Sequence, residues 1–203
     1  ALALPAAKEG GGRKGGAPAA VRELKVEGLG YSPTGRVVGM DEQASKSRAV
    51  RGIVDVAAMC NDAELIYEDG AYGRIGEPTE AALKVLVEKL GVPGAAPPPD
   101  AAAAASHYGS LVAAGYSKLA TLEFSRARKS MSVLCRPVGA RLNQLFVKGA
   151  PESVLPRCAF VRLADGTTVR MTDEWRRVLT AHFESMATRP LRTLALAVKE
   201  RGL

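Results

Sequence analysis

TLEFSRARKSMSVLCRPVGARLNQLFVKGAPE, residues 121–152, is the stretch that decides the fold. Apolar residues alternate through it at the period of a strand, with Leu122 and Phe124 on one parity and Met131, Val133 and Cys135 on the other. A change of parity requires a break. Serine and positive charge fill it at Ser125-Arg126-Ala127-Arg128-Lys129-Ser130, which predicts two strands joined through a bulge or a short irregular passage. The apolar run Leu142 to Val147 then pairs with Met131 to Cys135 as an antiparallel hairpin turning through Pro137 to Ala140. With the turn centred near Val138, Lys148 falls across from Arg128 and Lys129. Spacing alone thus gathers a basic cluster at one end of a sheet, beside the strand end that carries Phe124 and Arg126. Beyond Lys148, Gly149 permits close approach of the chain, and Pro151 suits the first position of a short helix with Glu152 in its first turn.

Working outward, Ile53 to Cys60 is a buried element that periodicity leaves open between helix and strand. Thr79 is placed to cap a helix whose apolar residues Leu83, Leu86, Val87 and Leu90 follow helical spacing, closed by Gly91 and Pro93. A further helix begins after Thr172, with Asp173 and Glu174 in its first turn and Trp175, Val178, Leu179, His182 and Met186 on one face. Leu191 to Val198 reads as a buried strand with Arg192 near its start. Two low-complexity stretches, at about 10–20 and 92–105, lack large side chains and are expected to be surface loops. The opening segment Ala1 to Ala7 contains Pro5 and runs into Lys8-Glu9 and a glycine tract, so it is expected to be an internal cut rather than a signal peptide. Length and composition fit an α/β (α+β) fold in a single domain spanning 1–203.

Composition narrows the chemistry. The 203 residues are 47% hydrophobic but only 5% aromatic, so the core is built from Leu, Val, Met and Ala. A net charge of +7 suits an anionic partner or a dispersed, solvated surface; convergence of the charges decides between them. Cys60, Cys135 and Cys158 have no paired spacing, and His107 and His182 stand outside any ligand-rich motif, so neither a disulfide framework nor a resident metal site is expected. No segment has the length and apolarity of a membrane span. No GxxxxGK[ST] loop is present, and Gly70 to Gly76 does not form the dinucleotide fingerprint. Glu123-Phe124-Ser125-Arg126, the Arg128-Lys129 pair and Lys148-Gly149 together supply what a nucleotide needs, an apolar face for the base and cations for phosphates. A Phe on an alternating strand is by default core, however, and a charged strand end is by default solvated.

Lys148-Gly149-Ala150-Pro151-Glu152, followed by Arg157-Cys158, resembles the nucleotide-domain signature of P-type ATPases. Phe124 to Val133 (FSRARKSMSV) is similar to the corresponding segment of sarco/endoplasmic reticulum-type calcium pumps. Cys60-Asn61-Asp62, Gly76 to Leu83 (GEPTEAAL) and Leu191 to Ala197 (LRTLALA) continue the resemblance in family order, from about Val21 to the C-terminus. It implies the fold of those nucleotide domains, an antiparallel sheet flanked by helices, and that Phe124 stacks on adenine, that Glu80 and Arg126 lie in an ATP pocket, and that Lys148 with Gly149 lines its deep end. Arg192 would reach the phosphates, Lys129 is a further basic candidate, and Thr79 and Leu194 are lesser wall candidates. ATP, with Mg2+ accompanying its phosphates, would be the ligand. The family's phosphorylated aspartate stands in an Asp-Lys-Thr-Gly sequence absent here. The partners implied are therefore the phosphorylation and actuator domains and transmembrane helices of a longer chain, in the endoplasmic reticulum membrane with this domain facing the cytosol. Ala127 replaces an acidic residue common in animal calcium pumps, and Pro78 an Ala of some members; neither removes a pocket residue. The alternatives are a pump for another cation, a regulatory domain with a vestigial pocket, or a basic interaction module for nucleic acid, which no motif supports.

Overall fold

The computed structural model describes residues 1–7, 19–189 and 191–200. In chain order the elements are β1 (Leu2–Ala7), β2 (Ala19–Val26), β3 (Val37–Val38), α1 (Glu42–Ser45), α2 (Arg48–Met59), β4 (Glu64–Glu68), β5 (Ala71–Ile75), α3 (Pro78–Leu90), α4 (Ala101–Ala104) and α5 (His107–Ala114). They continue as β6 (Tyr116–Ser125), β7 (Ser130–Pro137), β8 (Gln144–Gly149), α6 (Pro151–Val154), β9 (Phe160–Arg162), β10 (Thr168–Arg170), α7 (Asp173–Ala187) and β11 (Ala195–Lys199). The central sheet is antiparallel in the order β11-β8-β7-β6. A second antiparallel sheet runs β1-β2-β3, and β4-β5 and β9-β10 are separate hairpins. The antiparallel α+β expectation holds.

Helix α2 is the hub. Ser47 caps it, its Oγ accepting from the Val50 amide at 3.3 Å. Val54, Val56, Ala57 and Met59 pack with Met131, Val133, Cys135 and Phe146 of the central sheet, while Val50 joins Leu2, Leu4, Leu24 and Val37 of the β1–β3 sheet. The last turns of α2 are buried on every side, Val54 to Cys60 without a break, which is why Ile53 to Cys60 carries no readable period. Phe146, 1% exposed, contributes on the order of 1.5–3 kcal/mol relative to an exposed ring.

Several expectations are corrected. Thr79 does not cap α3: Glu77 holds the cap position, Pro78 the first helical position, and the Thr79 hydroxyl is turned to Arg192. The helix does end at Gly91, whose φ of +67° is the left-handed conformation that only glycine adopts freely. The stretch 92–105 is not all loop, because Ala101–Ala104 forms α4 with Asp100 Oδ1 accepting from the Ala103 amide at 2.8 Å. Alanine's helix propensity with an Asp cap suffices for one turn. The loop expected at 10–20 lies outside the described residues as far as 18; Ala19 and Ala20 already belong to β2, paired with Ala7 and Ala6. The hairpin before β8 is longer than expected, with Leu142 exposed and outside the strand. Strand β11 starts at Ala195, not Leu191, and is half-buried because it is an edge strand paired only with β8.

Candidate functional site

Strand β6 carries an extra residue where it meets β7. Leu122 pairs with Ser132 and Ser125 with Ser130, so Glu123 and Phe124 together face the single residue Met131. Met131 in turn pairs with Lys148, and Lys148 with Leu196. One row across the sheet therefore runs from the Phe124 bulge through Met131 to Lys148. The bulge also frees backbone carbonyls, and Arg128 takes them: its Nη2 donates to Leu122 O at 3.2 Å and to Glu123 O, and its Nε to Ser125 Oγ at 3.3 Å. Phe124 is thereby held at a fixed kink with 60% of its surface in water, not in the core where an alternating strand would place it.

The expected basic cluster does not form as drawn. Lys148 lies across from Met131, not from Arg128 and Lys129, because the hairpin turn is centred further along the chain. Arg128 fastens the bulge. Lys129, at φ +46°, is exposed and pairs with Glu152 at 3.2 Å. Lys129 nevertheless reaches Gly149 through its backbone: Ala150 N donates to Lys129 O at 3.0 Å, and a Cβ on Gly149 would sit 2.5 Å from that oxygen. The close approach anticipated at Gly149 is thus a steric requirement.

Lys148 is buried, 6% exposed, and its Nζ lies 2.5 Å from Glu80 Oε1. Glu80 sits in the first turn of α3, and its Oε2 accepts from the Asp62 amide at 3.0 Å. Burial pushes the Glu80 carboxyl up, but the Lys148 ammonium and the Asp62 amide outweigh it and hold the group below the ordinary glutamate range. Beside Glu80, Thr79 Oγ1 accepts from Arg192 Nη1 at 3.0 Å. Arg192 is exposed and precedes β11 rather than lying in it. Arg126 is exposed in the turn between β6 and β7.

The candidates thus fall into two groups on one end of the sheet. Thr79, Glu80, Lys148 and Arg192 gather at the N-terminus of α3, and Phe124, Arg126, Lys129 and Gly149 along the β6–β7 hairpin end and the adjoining end of β8. Leu194 is half-buried in the segment leading into β11. Spacing did not single out Lys84 and Lys118. Lys84 Nζ donates to Ala58 O at 3.0 Å, its pKa is pulled down by burial and by the neighbouring charges of Lys118 and Lys148, and Lys118 lies 3.7 Å from Asp62. Cys60 is buried, and burial pushes its thiol up to about 11. Arg157 of the Arg157-Cys158 pair donates to Ser130 Oγ at 3.0 Å and to Ser153 O at 2.7 Å, tying the first residue of β7 to α6.

The P-type ATPase cytoplasmic domain N family matches residues 49–201, which takes in every residue of both groups. The chain belongs to this family. The N domain is 38% identical to the endoplasmic reticulum-type calcium-transporting ATPase 2 of Arabidopsis thaliana over 92% of its own length and 18% of that protein's. It is 39% identical to the endoplasmic reticulum calcium ATPase srcA of Aspergillus fumigatus, over 87% of this chain and 19% of that one. The endoplasmic reticulum-type calcium-transporting ATPase 3 of Arabidopsis thaliana is 36% identical, with 88% and 19% covered. The N domain therefore spans less than a fifth of the length of these relatives.

Proposed function

We propose that this N domain binds ATP with the adenine against Phe124 and the phosphates toward Lys148 and Arg192, and delivers the γ-phosphate to an aspartate on a separate phosphorylation domain of a longer chain. The observation that carries the reading is the sheet row joining a water-exposed Phe124, fixed on a bulge, to a buried Lys148. A stacked base gains from a ring held rigid in water, and a phosphate gains from an ammonium already stripped of most of its solvent. Lys148 has three N–H donors and commits one to Glu80, which leaves two for oxygen acceptors. Arg126 at the turn and Lys129 beside Gly149 add positive charge along the same edge. Mg2+ would accompany the phosphates, its usual partners in nucleotide sites. When bound, it neutralises phosphate charge.

The phosphorylation and actuator domains and the transmembrane helices are placed elsewhere in the longer chain, of which residues 1–203 form one nucleotide-binding unit. The names of the relatives, endoplasmic reticulum-type calcium ATPases, favour calcium over another cation; transport into the endoplasmic reticulum, with this unit on the cytosolic side, belongs to the same proposal. Titration of ATP into the chain, followed by calorimetry and amide NMR, tests the reading. Saturable binding with shifts at Phe124 and Lys148, weakened in Phe124→Ala and Lys148→Ala, supports it. A folded chain that ignores ATP overturns it, and salt-sensitive binding to polynucleotide without ATP competition would favour the nucleic-acid module instead.

A further inference from the structure

Asn61 is 6% exposed, and its side-chain amide uses both of its donors and one of its two acceptor positions. Nδ2 donates to Ala57 O at 3.0 Å and to Glu80 O at 2.9 Å, and Oδ1 accepts from the Ala63 amide at 2.9 Å. One side chain thus ties the last turn of α2, the turn leading to β4 and the first turn of α3. The same turn aims the Asp62 amide at Glu80 Oε2. Glu80 is therefore held twice, by its backbone carbonyl through Asn61 and by its carboxylate through the residue next to Asn61. Its other carboxylate oxygen holds Lys148.

We propose that Asn61 is a positioning residue of the nucleotide site, which fixes the Glu80 carboxylate and through it the Lys148 ammonium; the inference rests on the ATP reading given above. Lys84 also ties α3 to α2 through Ala58 O, but among the described side chains only Asn61 bonds α2, α3 and the turn that carries the Asp62 amide together. Losing it lets the turn move, withdraws the Asp62 amide from Glu80 and leaves Lys148 sharing a less fixed carboxylate. The ammonium is then no longer pre-placed for phosphate, and ordering it falls to the ligand.

The test compares wild type with Asn61→Ala and with Asn61→Leu, which keeps the volume and adds no charge but loses the amide's hydrogen bonds. Each is read once its amide spectrum shows a folded chain, and Asn61→Leu serves if Asn61→Ala does not fold. Two readouts are taken: the Glu80 carboxyl carbon shift against pH, without nucleotide, and the ATP dissociation constant. The expected result is that Glu80 titrates at higher pH than in wild type and that ATP binds about fivefold more weakly or worse. In a Glu80→Gln background, Asn61→Ala should then cost no further affinity. An unchanged Glu80 titration overturns the positioning role, as does a shifted titration with unchanged ATP affinity; a lowered melting temperature alone marks a merely structural residue and overturns it too. If folded wild type fails to bind ATP, the nucleotide reading itself has failed, and that outcome is seen before any variant is made.

Discussion

The Lys148 ammonium lies 2.5 Å from Glu80 Oε1 and joins β8 of the central sheet to the first turn of α3. With side chains 7% and 19% exposed, the two form a nearly buried ion pair, for which removal of one partner is worse than removal of both. Glu80→Ala should destabilise by about 3–5 kcal/mol by stranding a buried ammonium, whereas Glu80→Leu with Lys148→Met should cost much less. Urea denaturation of the single and double variants measures the difference. Equal losses in both would show that the pair's charge is not what the fold depends on.

Stability should also fall in acid because of this pair. Glu80 is held below its ordinary value of 4.5, so its contribution is fully present above that pH and is lost as pH drops through the lower, folded-state value. Glu88 pulls the other way: burial raises its carboxyl above 4.5, and the stability it affects declines as pH rises past that point. Denaturation curves from neutral pH to about pH 3, compared between wild type and Glu80→Gln, isolate the Glu80 part. The variant should show a shallower acid loss.

Gly149→Ala should loosen the hairpin end. Its Cβ would meet Lys129 O at 2.5 Å, Ser130 Cβ at 2.6 Å and Ser130 Cα at 2.9 Å, none of them the far end of a flexible side chain. Overpacking of this kind costs about 1–3 kcal/mol. Amide shifts concentrated at Ser125 to Ser130, with a drop in denaturation midpoint, are expected, together with weaker ATP binding because the displaced Ser130 pairs with Ser125, next to Phe124 on β6.

Phe124→Ala should separate binding from folding. The ring is 60% exposed, so truncation should leave stability within about 0.5 kcal/mol, while loss of base stacking should weaken ATP about fivefold. Phe124→Trp should retain binding, since stacking needs a flat apolar face rather than a particular ring. Calorimetry beside thermal melts gives both quantities, and a large stability loss in Phe124→Ala would assign the ring to packing instead.

Much of the architecture was legible in local pattern. Thr172 caps α7, its Oγ1 accepting from the Trp175 amide at 3.3 Å, and Pro151 opens α6, because caps and first-turn residues act within a few positions of themselves. The α3 period and its stop at Gly91 were readable for the same reason. The β7–β8 pairing was legible too, but its register was not, since the loop between the strands could close at more than one length, and a shift of a few residues moved Lys148 from a cluster of cations to a pair with Glu80.

By itself, then, the sequence determined the antiparallel pairing, the starts of α6 and α7, the stop of α3 at Gly91, and the family, whose signature residues are contiguous in the chain. Only the tertiary structure decided that Arg128 serves the bulge, that Lys148 is neutralised by a residue 68 positions away, and that Asn61 joins three segments. Those outcomes depend on which charges share a desolvated space. Burial makes such partners obligatory, and spacing along the chain does not encode burial.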